Sequence, residues 1–143
     1  MDPLPHRYRV AATSDPGQVT LSAPDLPPIA SAPPREFGGP GDQWSPETLF
    51  VAAAVDCFIL TFRAIAQASN LGWARLSCGA EGVVDRADGT TRFTALALNA
   101  RLTVAAGADA QQARRLLEKA ERACLITNSL LLQPTLTCEV EVG

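Results

Sequence analysis

Hydrophobic and polar positions follow different patterns in successive parts of the chain, and each pattern predicts a different element. Residues 8–13 and 18–23 are short stretches of extended character, and Asp15-Pro16-Gly17 between them has the composition of a turn. Residues 26–42 are rich in proline and glycine and cannot hold a long helix. The first part of the chain is therefore predicted to be a β-hairpin followed by an extended surface segment.

The first helix is predicted to begin at Pro46 and to end near Ser69. Ser45 can cap it, proline suits the first helical position, and Glu47 places a carboxylate at the positive helix end. From residue 49 to residue 62 the sequence is apolar on nearly all sides of the helix, which indicates burial on most sides. This run of fourteen residues is too short to cross a bilayer, so we expect no membrane partner.

The second half of the chain returns to alternation. Residues 73–85 and 92–105 alternate around an Asp-Gly turn and predict an antiparallel hairpin. Asp109 is predicted to cap a second helix over residues 110–124, whose apolar positions recur at helical spacing on one face. Residues 136–142 alternate again as a last strand. The order ββ-α-ββ-α-β predicts an α+β fold in which an antiparallel sheet packs against two central helices.

The length of 143 residues predicts a single domain over residues 1–143, with one hydrophobic core. Within it, residues 1–42 form the hairpin and the proline-rich segment, and residues 43–143 form the core. The strongly apolar first helix finds too little cover in so short a chain. We therefore expect a homodimer in which this helix lies between the two subunits.

Composition and charge exclude several classes of function. With 12 basic and 15 acidic side chains and no basic cluster, nucleic acid is not an expected partner. The one histidine, His6, lies near the N-terminus, and the four cysteines form no C-x-x-C pair, so we expect no metal and no imidazole catalysis. The N-terminal sequence lacks a signal-peptide pattern, which favours the reducing cytoplasm, where cysteines are buried or chemically active.

Cys57 and Cys124 are each associated with a predicted helix, and they can meet if the helices pack together. In one interpretation both are core fillers, since free cysteine is among the most buried residue types. In the other they are a peroxidatic and a resolving cysteine, which pass through a sulfenic acid to a disulfide. A reactive thiolate needs a nearby cation, so the second interpretation requires an arginine held by a carboxylate close to Cys57.

Two stretches strongly resemble the OsmC/Ohr family, the osmotically inducible and organic hydroperoxide resistance proteins. The first is SPETLFVAAAVDCF at residues 45–58, with its carboxylate ten residues before the cysteine, and the second is AERACLITNS at residues 120–129. The two motifs occur in the family's order and spacing, and the resemblance extends from about residue 37 to residue 142. It implies an intertwined homodimeric fold and a thiol-dependent peroxidase without a metal or prosthetic group.

The resemblance also implies the roles of individual residues. Cys57 matches the peroxidatic cysteine, Cys124 the resolving cysteine, and Glu47 the glutamate that holds an arginine against the thiolate. Ten residues along one helix correspond to ~15 Å, so we expect the carboxylate and the cysteine of one site to come from different chains. Organic hydroperoxide is the implied substrate, and an external dithiol, for example a lipoylated protein, is the implied reductant.

The sequence departs from the family pattern at the activating arginine. Hydroperoxide-specific members carry it in the turn region of the first hairpin, which here contains none. Arg35, in the segment that leads into the helix, is the first candidate, followed by Arg9 and Arg7. Leu125 replaces a proline common in those members, and both departures favour the broader OsmC-like group. An alternative function is therefore a binding or redox-sensing dimer of this fold with little peroxidase turnover.

Overall fold

The computed structural model describes all 143 residues and divides the chain into two compact units, residues 1–49 and 50–143, with the boundary in the first turn of a long helix. Each unit contains one three-stranded sheet. The elements in chain order are β1 (Ala11–Ser14), β2 (Val19–Ser22), β3 (Ile29–Ser31), α1 (Pro46–Ala68), β4 (Trp73–Ala87), β5 (Thr90–Val104), α2 (Ala110–Ala123), α3 (Leu125–Asn128) and β6 (Thr135–Val142).

The predicted N-terminal hairpin is confirmed by the antiparallel pairing of β1 with β2. Asp15 Oδ1 accepts hydrogen bonds from the backbone N–H groups of Gly17 and Gln18, at 2.7 and 2.9 Å, and closes the turn. The segment predicted to be merely extended contains β3, antiparallel to β2, and a single 3-10 turn at Arg35–Phe37. Three residues beside two prolines are too short for a periodic pattern, which is why the sequence did not reveal β3.

The first helix begins and ends close to the predicted positions. The hydroxyl of Ser45 accepts a hydrogen bond from the backbone N–H of Thr48 at 3.1 Å, which confirms Ser45 as the cap. The helix spans 23 residues and stops before Asn70, which has a left-handed backbone conformation with φ of 53°. By length and mean hydropathy, 2.0 over 18 residues, α1 could cross a membrane, but the core helix of a soluble protein passes the same test.

Only one narrow stripe of α1 is fully buried within a single chain. Its members are spaced four residues apart, as the helical repeat requires: Ala54, Phe58, Phe62 and Ala66. The opposite side carries the apolar Leu60, which is half exposed. Burial on most sides, as predicted for this helix, is therefore not reached by one chain alone.

The sheet of the second unit has the order β4-β5-β6. The β4–β5 hairpin turns at Asp88 and Gly89, which both have positive φ (52° and 77°), as the favoured two-residue hairpin turn demands. The predicted α+β class is confirmed, and the predicted order ββ-α-ββ-α-β is found with two additional elements, β3 and α3. β6 lies parallel to β5, so this sheet is mixed rather than wholly antiparallel. The reason is the crossover through α2, which returns the chain to the same end of the sheet.

The core of the second unit lies between this sheet and its helices. Phe58 and Phe62 of α1 belong to one buried cluster with residues of β5 and α2, among them Leu98, Leu102 and Leu117. Phe62 also meets Trp73 edge to face, with ring centroids 5.4 Å apart. α2 begins at the predicted cap Asp109, whose carboxylate accepts from the N–H of Gln111 at 2.9 Å.

Gly82 of β4 lies directly against side chains of α1 and β5. A Cβ atom at this position would lie 2.7 Å from Cε1 of Phe93 and 2.8 Å from Cγ2 of Val51. The ring of Phe93 is stacked on Phe50 of α1 with a centroid distance of 4.4 Å, so it has little freedom to yield. Only glycine therefore leaves room for the side chains of Val51 and Phe93 at this position.

We predict that Gly82→Ala lowers the free energy of unfolding by about 1–3 kcal/mol, because the added methyl group overpacks the interface between α1 and β4. Gly79→Ala on the same strand is the matched control, since a Cβ there would meet no atom within 4 Å. Urea unfolding of both variants at one protein concentration measures the difference. Equal stability of the two variants would contradict this account of the packing.

Candidate active site

The structure brings the two predicted redox cysteines together: the thiols of Cys57 and Cys124 lie close enough that each shifts the pKa of the other. Cys57 lies half-buried in the middle of α1, and Cys124 lies fully buried at the joint between α2 and α3. Both thiols are free, and two neighbouring free thiols are what formation of a disulfide between them requires.

The joint that holds Cys124 is built by local hydrogen bonds. Cys124 has extended backbone angles, φ −65° and ψ 113°, and turns the chain from α2 into α3. Its carbonyl accepts from the N–H of Asn128 at 2.9 Å and from the hydroxyl of Thr127 at 3.3 Å. The side-chain amide of Asn128 donates to the carbonyl of Arg122 at 3.1 Å. These contacts fix the corner, so the position of Cys124 does not depend on its own side chain.

Four groups face the sulfur of Cys57. They are the thiol of Cys124, the hydroxyl of Thr61 with Oγ1 at 3.8 Å, and the backbone N–H groups of Leu125 and Ile126. Burial of Cys57 raises the pKa of its thiol, but the hydrogen bonds together outweigh burial, so the pKa is lower than that of an ordinary cysteine. None of these groups is a cation, although an arginine was expected beside the thiolate.

Cys124 shows the opposite behaviour. Burial raises the pKa of its thiol, the proximity of Cys57 raises it further, and the contacts with the hydroxyl and N–H of Thr127 oppose the rise without cancelling it. Since the two thiols interact, the pair shares one negative charge over the pH range between its two ionisations. The opposite directions of the two pKa shifts favour the thiolate at Cys57 and the protonated thiol at Cys124.

Glu47 lies in the first turn of α1, ten residues before Cys57 on the same continuous helix. Its Oε1 atom is enclosed and has no hydrogen-bond partner. The ion pairs in the chain are those of Arg101 with Glu139 at 2.9 Å and with Glu141 at 3.9 Å, so Glu47 is not paired. Leaving a buried carboxylate oxygen unsatisfied costs about 1–3 kcal/mol or more.

Arg35, the first candidate for the activating cation, is exposed in the 3-10 turn, and its side chain lies against Gly41. It forms no ion pair with Glu47, and neither do the exposed Arg7 and Arg9. The roles of Arg35 and Glu47 stay predictions.

The other two cysteines lie on one row of the second sheet. Cys78 of β4 and Cys138 of β6 are both in register with Ala100 of β5, two strands apart, or about 10 Å, which is too far for a disulfide. Burial raises the pKa of Cys78 to about 11, and burial raises that of Cys138 although Arg114 opposes it. Both thiols are therefore poorly ionised at neutral pH, and the chain has no group of three metal-ligating side chains.

Sequence analysis did not identify Thr61 or the backbone N–H groups of Leu125 and Ile126. The spacing of four residues between Cys57 and Thr61 on one helix was the available signal, because such residues are neighbours on the helix surface. The backbone groups had no signal, since their direction depends on the α2–α3 corner, and α3 is too short to be predicted.

We predict that iodoacetamide modifies Cys57 at lower pH than the other three cysteines, and Cys78 only at the highest pH. The lowered pKa of the Cys57 thiol gives it a larger thiolate fraction at any pH below its midpoint, and the thiolate is the form that reacts. Peptide-resolved mass spectrometry across a pH series, with the protein reduced beforehand, measures each midpoint. A midpoint for Cys57 equal to that of Cys78 would contradict the geometry described above.

Comparison with known proteins gives a consistent picture. The sequence profile of a family described as OsmC-like protein matches residues 39–140. The uncharacterised protein YmaD of Bacillus subtilis is 32% identical over 114 residues, covering 76% of this chain and 75% of YmaD.

Solved structures share the fold. An OsmC-like protein of unknown function from Vibrio cholerae has a TM-score of 0.87 at 18% identity, covering 94% of this chain and 99% of that one. An organic hydroperoxide resistance protein OsmC from Legionella pneumophila has a TM-score of 0.76 at 24% identity, covering 96% and 98%. The family resemblance found in the two cysteine motifs is confirmed, and the chain belongs to the OsmC family of OsmC-like proteins.

Proposed function

We propose that this protein is a cysteine-based peroxidase that reduces organic hydroperoxides to alcohols, with Cys57 as the peroxidatic and Cys124 as the resolving cysteine. The observation that carries the proposal is the contact between two free thiols whose pKa values shift in opposite directions. The lowered pKa suits Cys57 to attack the hydroperoxide as a thiolate, and Cys124 remains a thiol that can form the disulfide afterwards. The proposal agrees with the naming of a structural relative as an organic hydroperoxide resistance protein.

In the first step the Cys57 thiolate attacks the terminal oxygen of the hydroperoxide. A sulfur–oxygen bond forms, the oxygen–oxygen bond breaks, and the alkoxide leaves and takes a proton from water to give the alcohol. The sulfur loses two electrons and becomes a sulfenic acid. The N–H groups of Leu125 and Ile126 hold the thiolate in place before the attack.

In the second step the sulfur of Cys124 attacks the sulfenic acid. A disulfide bond forms, and the hydroxyl group of the sulfenic acid leaves as water together with the proton of the Cys124 thiol. An external dithiol, for example a lipoylated protein of the reducing cytoplasm, then reduces the disulfide by thiol–disulfide exchange. This cycle uses no metal and no bound cofactor.

We further propose that the working form is a homodimer. Two features of the single chain support this proposal. The apolar side chain of Leu60 on α1 is half exposed, and an enclosed carboxylate oxygen of Glu47 has no hydrogen-bond partner. A second subunit can cover the Leu60 side chain and supply a hydrogen-bond donor to the Glu47 carboxylate. In such a dimer Glu47 of one chain would hold an arginine, with Arg35 as the first candidate, at the Cys57 thiolate of the other chain.

Light scattering at micromolar concentration is predicted to give twice the chain mass of 15.1 kDa. Leu60→Lys, which places a charge on the exposed apolar side of α1, is expected to shift the protein toward monomer, whereas the solvent-facing Arg115→Lys on α2 leaves the mass unchanged. A wild-type protein that scatters as a clean monomer would contradict the dimer.

Loss of cumene hydroperoxide, with dihydrolipoamide as the reductant, tests the chemistry. Wild type and Cys78→Ser are predicted to consume peroxide over many turnovers, because Cys78 takes no part in the cycle. Cys57→Ser loses the protein-dependent reaction. Cys124→Ser, assayed without dihydrolipoamide, consumes about one equivalent rapidly and accumulates a sulfenic acid that dimedone traps. Peroxide loss that does not depend on Cys57 would refute the proposed function.

The same assay tests the cation. Arg35→Ala is predicted to slow the reaction by about tenfold or more, since loss of a charge partner raises the pKa of a thiolate and weakens transition-state stabilisation. Arg35→Lys is expected to recover part of the rate, and Arg115→Ala on the exposed face of α2 serves as the control. An unchanged rate for Arg35→Ala would remove Arg35 from the site while leaving the enzyme class untouched.

A binding or redox-sensing dimer is the second candidate function. It is favoured by one observation, the absence of a cation among the groups that lower the pKa of Cys57. In this case the disulfide forms once with peroxide, but dihydrolipoamide supports little turnover. The peroxide assay above separates the two functions. A sensor consumes about one equivalent of peroxide and then stops, whereas a peroxidase continues to consume peroxide at a steady rate.

A further inference from the structure

The hydroxyl of Thr61, on the same helix as Cys57, is within hydrogen-bond distance of the Cys57 sulfur, with Oγ1 at 3.8 Å from Sγ. The two residues are four positions apart, so they are neighbours on one face of the helix. Thr61 is half-buried like Cys57, and its hydroxyl has this sulfur as its hydrogen-bond partner. A threonine in a helix can instead bond the carbonyl four residues earlier, and here it does not.

The direction of this hydrogen bond follows from the protonation state. A thiolate carries no proton and can only accept, so the hydroxyl of Thr61 must be the donor once Cys57 is ionised. Hydrogen bonds to a charged acceptor are stronger than those to a neutral one, so the contact favours the thiolate over the thiol.

We propose that Thr61 is a positioning residue, whose hydroxyl donates to the Cys57 thiolate from within the same helix and holds the sulfur toward the backbone N–H groups of Leu125 and Ile126. The inference deepens the proposed function and rests on Cys57 being the reacting thiol. Thr61 and the α2–α3 corner approach the sulfur from two separate elements. The thiolate is thereby oriented as well as stabilised, and its lone pair is directed before a substrate arrives.

One other titratable group has to be considered in any pH-dependent test of this contact. Cys124, at the α2–α3 joint, touches Cys57 and titrates with it. Asp56 precedes Cys57 on α1 but is exposed, and it does not shift the pKa of Cys57. The test therefore keeps Cys124 intact and follows both thiols separately.

The test compares Thr61→Val, which keeps the shape and removes the hydroxyl, with Thr61→Ser, which keeps the hydroxyl. The pH midpoint of Cys57 alkylation, followed by peptide-resolved mass spectrometry, is expected to rise by about half a pH unit or more in Thr61→Val. Thr61→Ser is expected to retain the wild-type midpoint. Thr91→Val, at an exposed position of β5, is the matched control and leaves the midpoint unchanged.

A second readout separates positioning from a structural role. In Thr61→Val the rate of cumene hydroperoxide loss is expected to fall most below the new midpoint and to recover toward wild type at high pH, whereas a packing defect lowers the rate at every pH. Thr61→Ala, a better helix former, replaces Thr61→Val if the latter does not fold.

An unchanged Cys57 midpoint in a folded variant without the hydroxyl would overturn the inference. So would a shifted midpoint in Thr61→Ser equal to that in Thr61→Val. Because alkylation needs no peroxide, this measurement stays decisive for Thr61 even if the protein shows no peroxidase turnover. Failure of the proposed function and failure of this inference are therefore distinguished.

Discussion

The rotation of α1 about its own axis is the constraint on which the candidate site depends. Phe58 and Phe62, fully buried in the core of the second unit, fix that rotation. Cys57 and Thr61 each precede one of them by a single residue, so they form a second stripe turned by about 100° from the buried one. This places the reacting sulfur at the border between the core and its surroundings, close enough to Cys124 for contact and open enough for a substrate.

A thiolate at such a border must be stabilised against the cost of burial. Neutral donors do this within one chain, since a hydroxyl, a thiol and two backbone N–H groups together outweigh desolvation. Neutral dipoles lower a pKa less than a full charge does at equal distance. The isolated chain therefore lowers the pKa of Cys57 with neutral groups alone and holds, at Glu47, an enclosed carboxylate oxygen without a partner. The two features are complementary: one lacks a cation and the other has an anion to hold it.

The sequence predicted the elements whose local signals are strong. Ser45 and Asp109 as caps, the turn at Asp88 and Gly89, and the long apolar helix were all predictable because each depends on a few neighbouring residues. The two cysteines could be paired through the family motifs, and the structure brings them into contact. The direction of β6 could not be predicted, since it depends on the path of α2 across the sheet and not on the strand's own residues. The N–H donors of Leu125 and Ile126 could not be predicted either, because every residue type except proline has a backbone N–H and its direction depends on the α2–α3 corner.

The parallel pairing of β6 with β5 also bears on the order in which the chain acquires its structure. β4 and β5 meet through a two-residue turn, whereas β6 can pair only after the chain has passed through α2 and the Cys124 corner. Closing a long segment costs more entropy than closing a short one, so the β5–β6 ladder belongs to the slow part of folding. Cys124 lies inside that segment. The two thiols therefore meet only when the crossover has docked, and a nascent or partly unfolded chain keeps them apart.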